Sequence, residues 1–215
     1  MFFIQYLSSD PRYFFGMIIT VVLSVCLHEL AHGFVAIWLG DDTPIEQEHM
    51  TLNPLVHMGP ASLVCLLLAG LAWGAMPVDD RRLRWRYGPA LVAVAGPVMN
   101  ALLATVSLLA LGYWQRYDPT PTKQLSQYAQ NGRFLLSIFG TANILLALFN
   151  LIPFPPLDGS RILGNFSATA ERVIGNVARS GIYLQATIIL FSLSGTLLWP
   201  MAIKIALNIV QLTRA

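Results

Sequence analysis

Residues 28–32 read His-Glu-Leu-Ala-His and lie inside the long apolar segment Tyr13–Leu39. About twenty apolar residues suffice for a helix to cross a bilayer, so this segment can span one. Ionisable side chains are costly in the hydrocarbon core and usually mark a functional site there. A helix places His28 and His32 one turn apart on one face, where both imidazoles can bind a single Zn²⁺ ion. Glu29 lies beside that face, so the stretch predicts a metal site with an adjacent base.

The composition agrees with a chain that is embedded in a membrane. Of its 215 residues, 55% are hydrophobic and only 11% are charged, and the mean hydropathy is +0.60. Because soluble domains are about one quarter charged, we expect an integral membrane protein with a single domain over residues 1–215. The net charge of +2 gives no reason to expect a nucleic-acid partner. Cys26 and Cys65 lie in apolar runs and predict no disulfide framework.

The hydropathy pattern predicts an all-α, polytopic bundle with about four full spans and a re-entrant segment. The predicted spans are Tyr13–Leu39, Gly88–Trp114, Phe134–Ile152 and Ile182–Ile203. Pro200 is expected to kink the last span near its end. Ala61–Trp73 is apolar but short for a full crossing, so we expect it to enter and leave the membrane on the same side.

Polar stretches connect these segments. They are an acidic stretch that ends at His49, a turn-rich loop over residues 51–60, a basic loop at Asp79–Arg86 and a polar loop at Gln115–Arg133. Residues 160–180 have a mixed composition that favours an interfacial position. Met1–Leu7 is short and aromatic and lacks a basic beginning, so we expect an interfacial segment rather than a cleavable signal peptide.

A catalytic zinc usually has three protein ligands and an open position for water, so a third ligand is needed. The extended motif His-Glu-x-x-His-x-x-Gly-x-x-His is absent, because Val35 and Trp38 occupy the positions of its glycine and last histidine. Most carboxylates other than Glu29 fall in polar loops, whereas Asp158 follows a spanning segment with no intervening charge. Prolines before Asp158 break the helix and allow the carboxylate to point inward. Asp158 is the preferred third ligand; a helix-capping role for it, and His57 as a rival ligand, stay open.

A single ion that contacts residues 28–32 and Asp158 requires the first and third spans to run parallel. This holds if Gly88–Trp114 crosses back between them and Ala61–Trp73 does not cross. Basic residues are slightly more numerous on the side shared by the metal-bearing helix ends. That side carries Arg81, Arg82, Arg84, Arg86, Arg161, Arg172 and Arg179, and the other carries Arg12, Arg116, Lys123, Arg133, Lys204 and Arg214. Since such an excess marks the cytoplasmic side, the site is predicted to face the cytoplasm.

Two further motifs point to a known family. Residues 95–100 read Ala-Gly-Pro-Val-Met-Asn, and residues 150–159 read Asn-Leu-Ile-Pro-Phe-Pro-Pro-Leu-Asp-Gly. Together with residues 28–32, and in this order, they resemble the site-2 proteases, which are intramembrane zinc metalloproteases, and their compact bacterial branch in particular. The resemblance extends from Tyr13 to about Gly164. It implies an all-α membrane bundle in a bacterial inner membrane.

The resemblance also implies roles for individual residues. His28, His32 and Asp158 would be the zinc ligands, and Glu29 the general base. Asn150 would help to hold the substrate or the oxyanion, a role that suits an amide donor in a dry site. The residues alone equally allow an interhelical hydrogen bond for Asn150.

Two residues are candidates for accessory roles. Asn100 is expected to be structural, with its amide bonded across helices. Thr51–His57 also matches the compact branch, but Gly59 and Met76 stand where the family usually has aspartate and lysine. His57 is therefore expected to be an interfacial loop histidine rather than a metal ligand.

The predicted function is zinc-dependent hydrolysis of peptide bonds in or near transmembrane segments. The implied partners are a transmembrane protein or peptide substrate and the lipid bilayer; the sequence indicates neither the particular substrate nor the oligomeric state. A catalytically silent zinc scaffold that binds partner helices is the alternative. A metal transporter fits poorly, because the spans carry one ionisable cluster rather than a path of them. Glu29 favours the protease, since a structural zinc has no use for an unligated carboxylate beside it.

Overall fold

The computed structural model describes residues 3–180 and 183–213, and within them it contains helices and loops but no strand. The helices are α1 (Tyr6–Ser9), α2 (Pro11–Trp38), α3 (Thr43–Glu46), α4 (Pro54–His57), α5 (Gly59–Ala69), α6 (Gly88–Tyr117), α7 (Gln127–Asn150), α8 (Asp158–Phe166), α9 (Ala168–Arg179) and α10 (Tyr183–Leu212). Of the described helices, α2, α6, α7 and α10 are long and apolar enough to cross a membrane. The four predicted spans are confirmed, although Met1, Phe2 and Ile182 of the predicted segments lie outside the described residues.

Helices α2 and α7 run parallel, as the position of the third ligand required. At one end, the guanidinium of Arg12 lies 4.1 Å from the ring centre of Phe134. Midway along, Asn143 Nδ2 donates a hydrogen bond of 2.8 Å to Ser24 Oγ. The chain therefore leaves α2 and α7 on the same side of the bundle.

Helix α6 crosses back between α2 and α7, and α10 crosses back after α7. Glycines allow the close approach of α6 and α7, because a Cβ atom on Gly140 would overlap the side chain of Leu108. One end of α10 lies near the loop after α7, where Thr187 Oγ1 donates to Pro155 O over 3.4 Å. Its other end lies near the end of α6, where Arg116 donates to Thr213 O over 3.0 Å.

Two predicted boundaries are wrong because long helices continue beyond their apolar cores. Helix α7 begins at Gln127, inside the predicted polar loop, since Ser126 Oγ caps it by accepting from Ala129 N over 3.3 Å. Helix α10 continues to Leu212 with Pro200 in its interior, not near its end. Hydropathy marks the lipid-facing part of a helix, whereas backbone hydrogen bonds set where the helix stops.

The short apolar segment turns back on itself. Helix α5 has 11 residues and ends at Gly70, whose left-handed φ of +74° suits a glycine. The returning chain pairs with the outgoing one: Trp73 N donates to Ser62 Oγ over 2.9 Å, and Ala75 N donates to His57 O over 3.0 Å. Both ends of the segment therefore lie at the same level, which is the re-entrant path expected from its length.

Candidate metal centre

The predicted ligands converge where α2 meets the beginning of α8. The Nε2 atoms of His28 and His32 lie 3.0 Å apart. Asp158 Oδ2 lies 3.1 Å from His28 Nε2, and Asp158 Oδ1 lies 3.5 Å from His32 Nε2. One ligand atom from each of the three residues falls within 4.8 Å of the others, so all three can reach a single ion.

Asp158 reaches this point because α7 stops at Asn150 and the proline-rich stretch turns the chain inward. Asp158 is the first residue of α8, and no side chain caps that helix, so the capping alternative is wrong. Its side chain is 13% exposed. The carboxylate faces the imidazoles of His28 and His32, where in its ionised form it can serve as a metal ligand.

The other ring nitrogen of each histidine faces an oxygen that can only accept. His28 Nδ1 is in a short contact with Asn100 Oδ1, and His32 Nδ1 lies 2.6 Å from Val92 O. Each Nδ1 must therefore carry the proton and donate, which leaves the lone pairs on both Nε2 atoms. Such outer partners fix the tautomer and ring orientation of metal-binding histidines.

Gly96 on α6 explains why a Gly-Pro pair occurs in the second motif. A Cβ atom on Gly96 would overlap the imidazoles of both His28 and His32. The absence of a side chain lets α6 pass directly under the ligand cluster. The glycine is thus needed for space at the site and not only for close packing of helices.

Glu29 lies one residue from the first ligand and is 7% exposed. It is outside the three-residue ligand cluster. The chain returning from α5 passes beside it, and a Cβ atom on Gly74 would lie 2.6 Å from Glu29 Oε1. A buried, unligated carboxylate at this position can exchange protons with a reacting group.

The structure does not bring Asn150 or His57 into the ligand cluster. Asn150 Nδ2 donates to Leu146 O of its own helix over 3.1 Å, which is neither an interhelical bond nor a contact to the ligands. The interfacial position of His57 stays a prediction; the residue ends α4, is 3% exposed and has its Nε2 2.6 Å from Thr51 O. Its burial follows from the returning limb of the re-entrant segment, which covers it.

The amide of Asn100 bonds across helices, and the structure adds two residues that the sequence reasoning missed. Asn100 Nδ2 donates to Asn143 Oδ1 over 2.8 Å, and Asn143 Nδ2 donates to Ser24 Oγ over 2.8 Å. All three side chains are 0% exposed. A buried asparagine in the middle of the apolar helix α7 was the available signal, since such residues usually bond to another helix.

The residues present fit a zinc ion. Two imidazole nitrogens and one carboxylate form a usual donor set for catalytic zinc, which takes water as its fourth ligand. Asp158 Oδ2 is buried yet accepts no hydrogen bond from the described residues. An unpaired carboxylate oxygen that faces two imidazole lone pairs is satisfied by a cation between them.

Comparisons with known proteins point to one family of peptidases. A model of the family described as Peptidase family M50 matches residues 16–193. The chain is 35% identical to "Putative zinc metalloprotease YwhC" of Bacillus subtilis, covering 86% of this chain and 84% of that protein. It is 30% identical to "Putative zinc metalloprotease Rip2" of Mycolicibacterium smegmatis, covering 69% of this chain and 58% of the relative. For "Zinc metalloprotease MJ0392" of Methanocaldococcus jannaschii, the identity is 27% and the coverage is 68% and 33%. No solved structure gives a significant match.

Proposed function

The chain belongs to peptidase family M50, the site-2 proteases, and on that premise we propose which of its residues carry out intramembrane proteolysis. The family, the apolar helices and the relatives together make it a multi-pass zinc metalloprotease of the membrane. Nothing in the comparisons favours the catalytically silent scaffold. The observation that carries the residue assignment is the convergence of His28, His32 and Asp158 within 4.8 Å, next to the buried Glu29.

His28, His32 and Asp158 hold the zinc ion. When bound, Zn²⁺ lowers the pKa of a coordinated water to about 7 and polarises the scissile carbonyl. The three side chains come from α2 and α8, and both of these helices pack against α6. This arrangement keeps the donor atoms in place before the ion binds.

Glu29 is the general base. It accepts the proton of the attacking water and later delivers it to the leaving amine. Its position supports this role, since the backbone of the returning limb at Gly74 lies against its carboxylate and the residue does not belong to the ligand cluster.

Asn150 holds the substrate or the developing oxyanion. Its amide lies at the end of α7, just before the stretch that leads to Asp158, and is only partly buried. The bond from its Nδ2 to Leu146 O is a local one that a substrate carbonyl can replace. An amide donor aimed at developing negative charge lowers the barrier by about 3 kcal/mol.

The substrates are segments of membrane proteins that cross or border the bilayer. A helix hides its carbonyl groups in its own hydrogen bonds, so a substrate helix must unwind locally before cleavage. The arginine excess on the metal-bearing side supports a site that faces the cytoplasm, in a bacterial inner membrane.

Zinc content of the detergent-purified protein tests the assignment. The wild type is expected to hold about one zinc per chain, and Asp158→Ala to hold none. Asp80→Ala is the matched control, because Asp80 lies on the same side but pairs with Arg161 over 2.8 Å; it should retain zinc. Zinc retained in Asp158→Ala would move the third ligand elsewhere, and a wild type that cannot be loaded with zinc would refute the site.

A further inference from the structure

A directional chain of hydrogen bonds begins at the first metal-binding imidazole. It runs from His28 through Asn100 on α6 and Asn143 on α7 to Ser24 on α2, and each residue donates to the next. It therefore ties together the three helices that surround the site. Because every member except His28 is 0% exposed, no bulk water can substitute for a lost partner.

The direction of this chain depends on how each amide is turned. An asparagine side chain presents an acceptor on one side and a donor on the other. Asn100 must direct Oδ1 toward His28, so that Nδ1 of the imidazole donates and Nε2 keeps its lone pair. If the amide turned over, its NH₂ group would face Nδ1, and the proton of the imidazole would move to Nε2, where it blocks metal binding.

Contact with Asn143 determines how Asn100 is turned. Asn143 Oδ1 accepts from Asn100 Nδ2 over 2.8 Å, which is possible only while the NH₂ group of Asn100 points away from His28. Asn143 itself is fixed by a backbone group, because its Nδ2 donates to Phe139 O over 2.8 Å. A backbone carbonyl can only accept, so the amide of Asn143 cannot turn over without losing this bond.

We propose that Asn143 is a positioning residue for the metal site, which sets the orientation of Asn100 and through it the metal-binding tautomer of His28. The proposal rests on zinc binding by His28, His32 and Asp158. Among the described residues, Asn143 hydrogen-bonds to Asn100, Ser24 and Phe139 and to none of the proposed metal ligands. Its effect reaches His28 only through the amide of Asn100, and this is what separates it from a residue that merely joins two helices.

A double-mutant cycle in zinc affinity tests this proposal. Zinc dissociation constants are measured on detergent-purified protein by competition with a chromophoric chelator, without any substrate. Asn143→Leu is expected to weaken zinc binding at least about tenfold, as outer partners of metal ligands usually do. Asn100→Asp offers an acceptor oxygen to His28 whichever way it is turned, so Asn143→Leu should cause no further loss in that background.

Two controls separate positioning from packing. Ser107→Ala removes another polar group near the α6–α7 contact, where Ser107 Oγ bonds to Leu103 O over 2.9 Å, and it should leave zinc affinity unchanged. Ser24→Ala leaves the bond from Asn143 to Phe139 O in place, so its effect should be smaller than that of Asn143→Leu. If Asn143→Leu aggregates, Asn143→Ser replaces it, because its shorter side chain does not reach Asn100.

The outcomes are distinct. Unchanged zinc affinity in Asn143→Leu, or an equal loss in both backgrounds, would overturn the positioning role while leaving the protease assignment intact. A wild type that binds no zinc would overturn both. A loss of zinc affinity in Asn143→Leu that disappears in the Asn100→Asp background supports the positioning role of Asn143.

Discussion

The core of α2, α6 and α7 differs from the fourth long helix, α10, in how deeply each is buried. In the most apolar stretch of each helix, 56% of α2 and 44% each of α6 and α7 lie inside the structure, but only 11% of α10 does. The core helices meet through glycines and buried amides. Helix α10 meets them through small and apolar residues, namely Ala202, Ala206 and Val210.

The difference in burial indicates which helices the candidate metal site depends on. In a bilayer, apolar side chains gain little by leaving lipid, so helices that must pack tightly rely on small residues and interhelical hydrogen bonds. The core helices have both, and they carry Glu29 and the two histidine ligands. Helix α10 exposes large apolar residues such as Ile189 and Leu197, as a helix that faces lipid does. The three core helices thus position His28, His32 and Glu29 of the candidate site, and α8 adds Asp158.

The largest expected effect lies at the centre of the core. Glu29→Gln keeps the shape of the side chain but removes the base, so cleavage of a membrane-embedded substrate should fall about 10²–10⁴-fold. Zinc content should stay at the wild-type level. Cleavage near the wild-type rate would show that the base lies elsewhere and that the core alone does not explain catalysis.

A pair of glycines sharpens the comparison. Gly96→Ala places a methyl group against both histidine ligands, so zinc affinity should fall about 10–100-fold. A methyl group added at Gly195 on α10 would meet no other atom within 4 Å, so Gly195→Ala should bind zinc normally. Equal zinc affinities in the two variants would remove the distinction between the regions.

A smaller effect is expected where α10 touches the core. Ala202 is 0% exposed, and a larger side chain there overpacks the contact. Ala202→Leu should lower the free energy of unfolding by about 1–3 kcal/mol, measured as a lower thermal midpoint in detergent. The zinc stoichiometry should not change, and loss of zinc would mean that α10 does support the site.

The smallest effect belongs to the lipid-facing side of α10. Leu197 is 65% exposed, so Leu197→Ala should change the free energy of unfolding by no more than about 0.5 kcal/mol. Its zinc affinity and cleavage rate should match the wild type. A marked drop in thermal midpoint would show that this surface is packed against another group, and that α10 does not differ from the core helices in this respect.

The sequence predicted the parts of the structure that follow from apolar length and local motifs. Segment length shows which stretches can cross a membrane, and this gave the four spans and the re-entrant segment. Helix geometry and the number of crossings then gave the grouping of His28, His32 and Asp158. Burial of His57 could not be predicted, because it depends on how the re-entrant segment folds back to place Ala75 against His57.

The hydrogen bond of Asn150 and the role of Asn143 were missed for a related reason. An asparagine in a spanning helix can bond to its own helix or to a neighbouring helix. Which of the two it does depends on the face of the helix on which it lies. In α7, Asn143 faces α2 and α6, whereas the Nδ2 of Asn150 bonds back to Leu146. Only packed coordinates distinguish these cases.

The two glycines beside the site also limit what a drug-like molecule could do there. Gly96 lies against His28 and His32, and Gly74 lies against Glu29, so main chain rather than side chains borders the candidate site at these two positions. An inhibitor would need a slim zinc-binding head group, because a bulky one would meet backbone there.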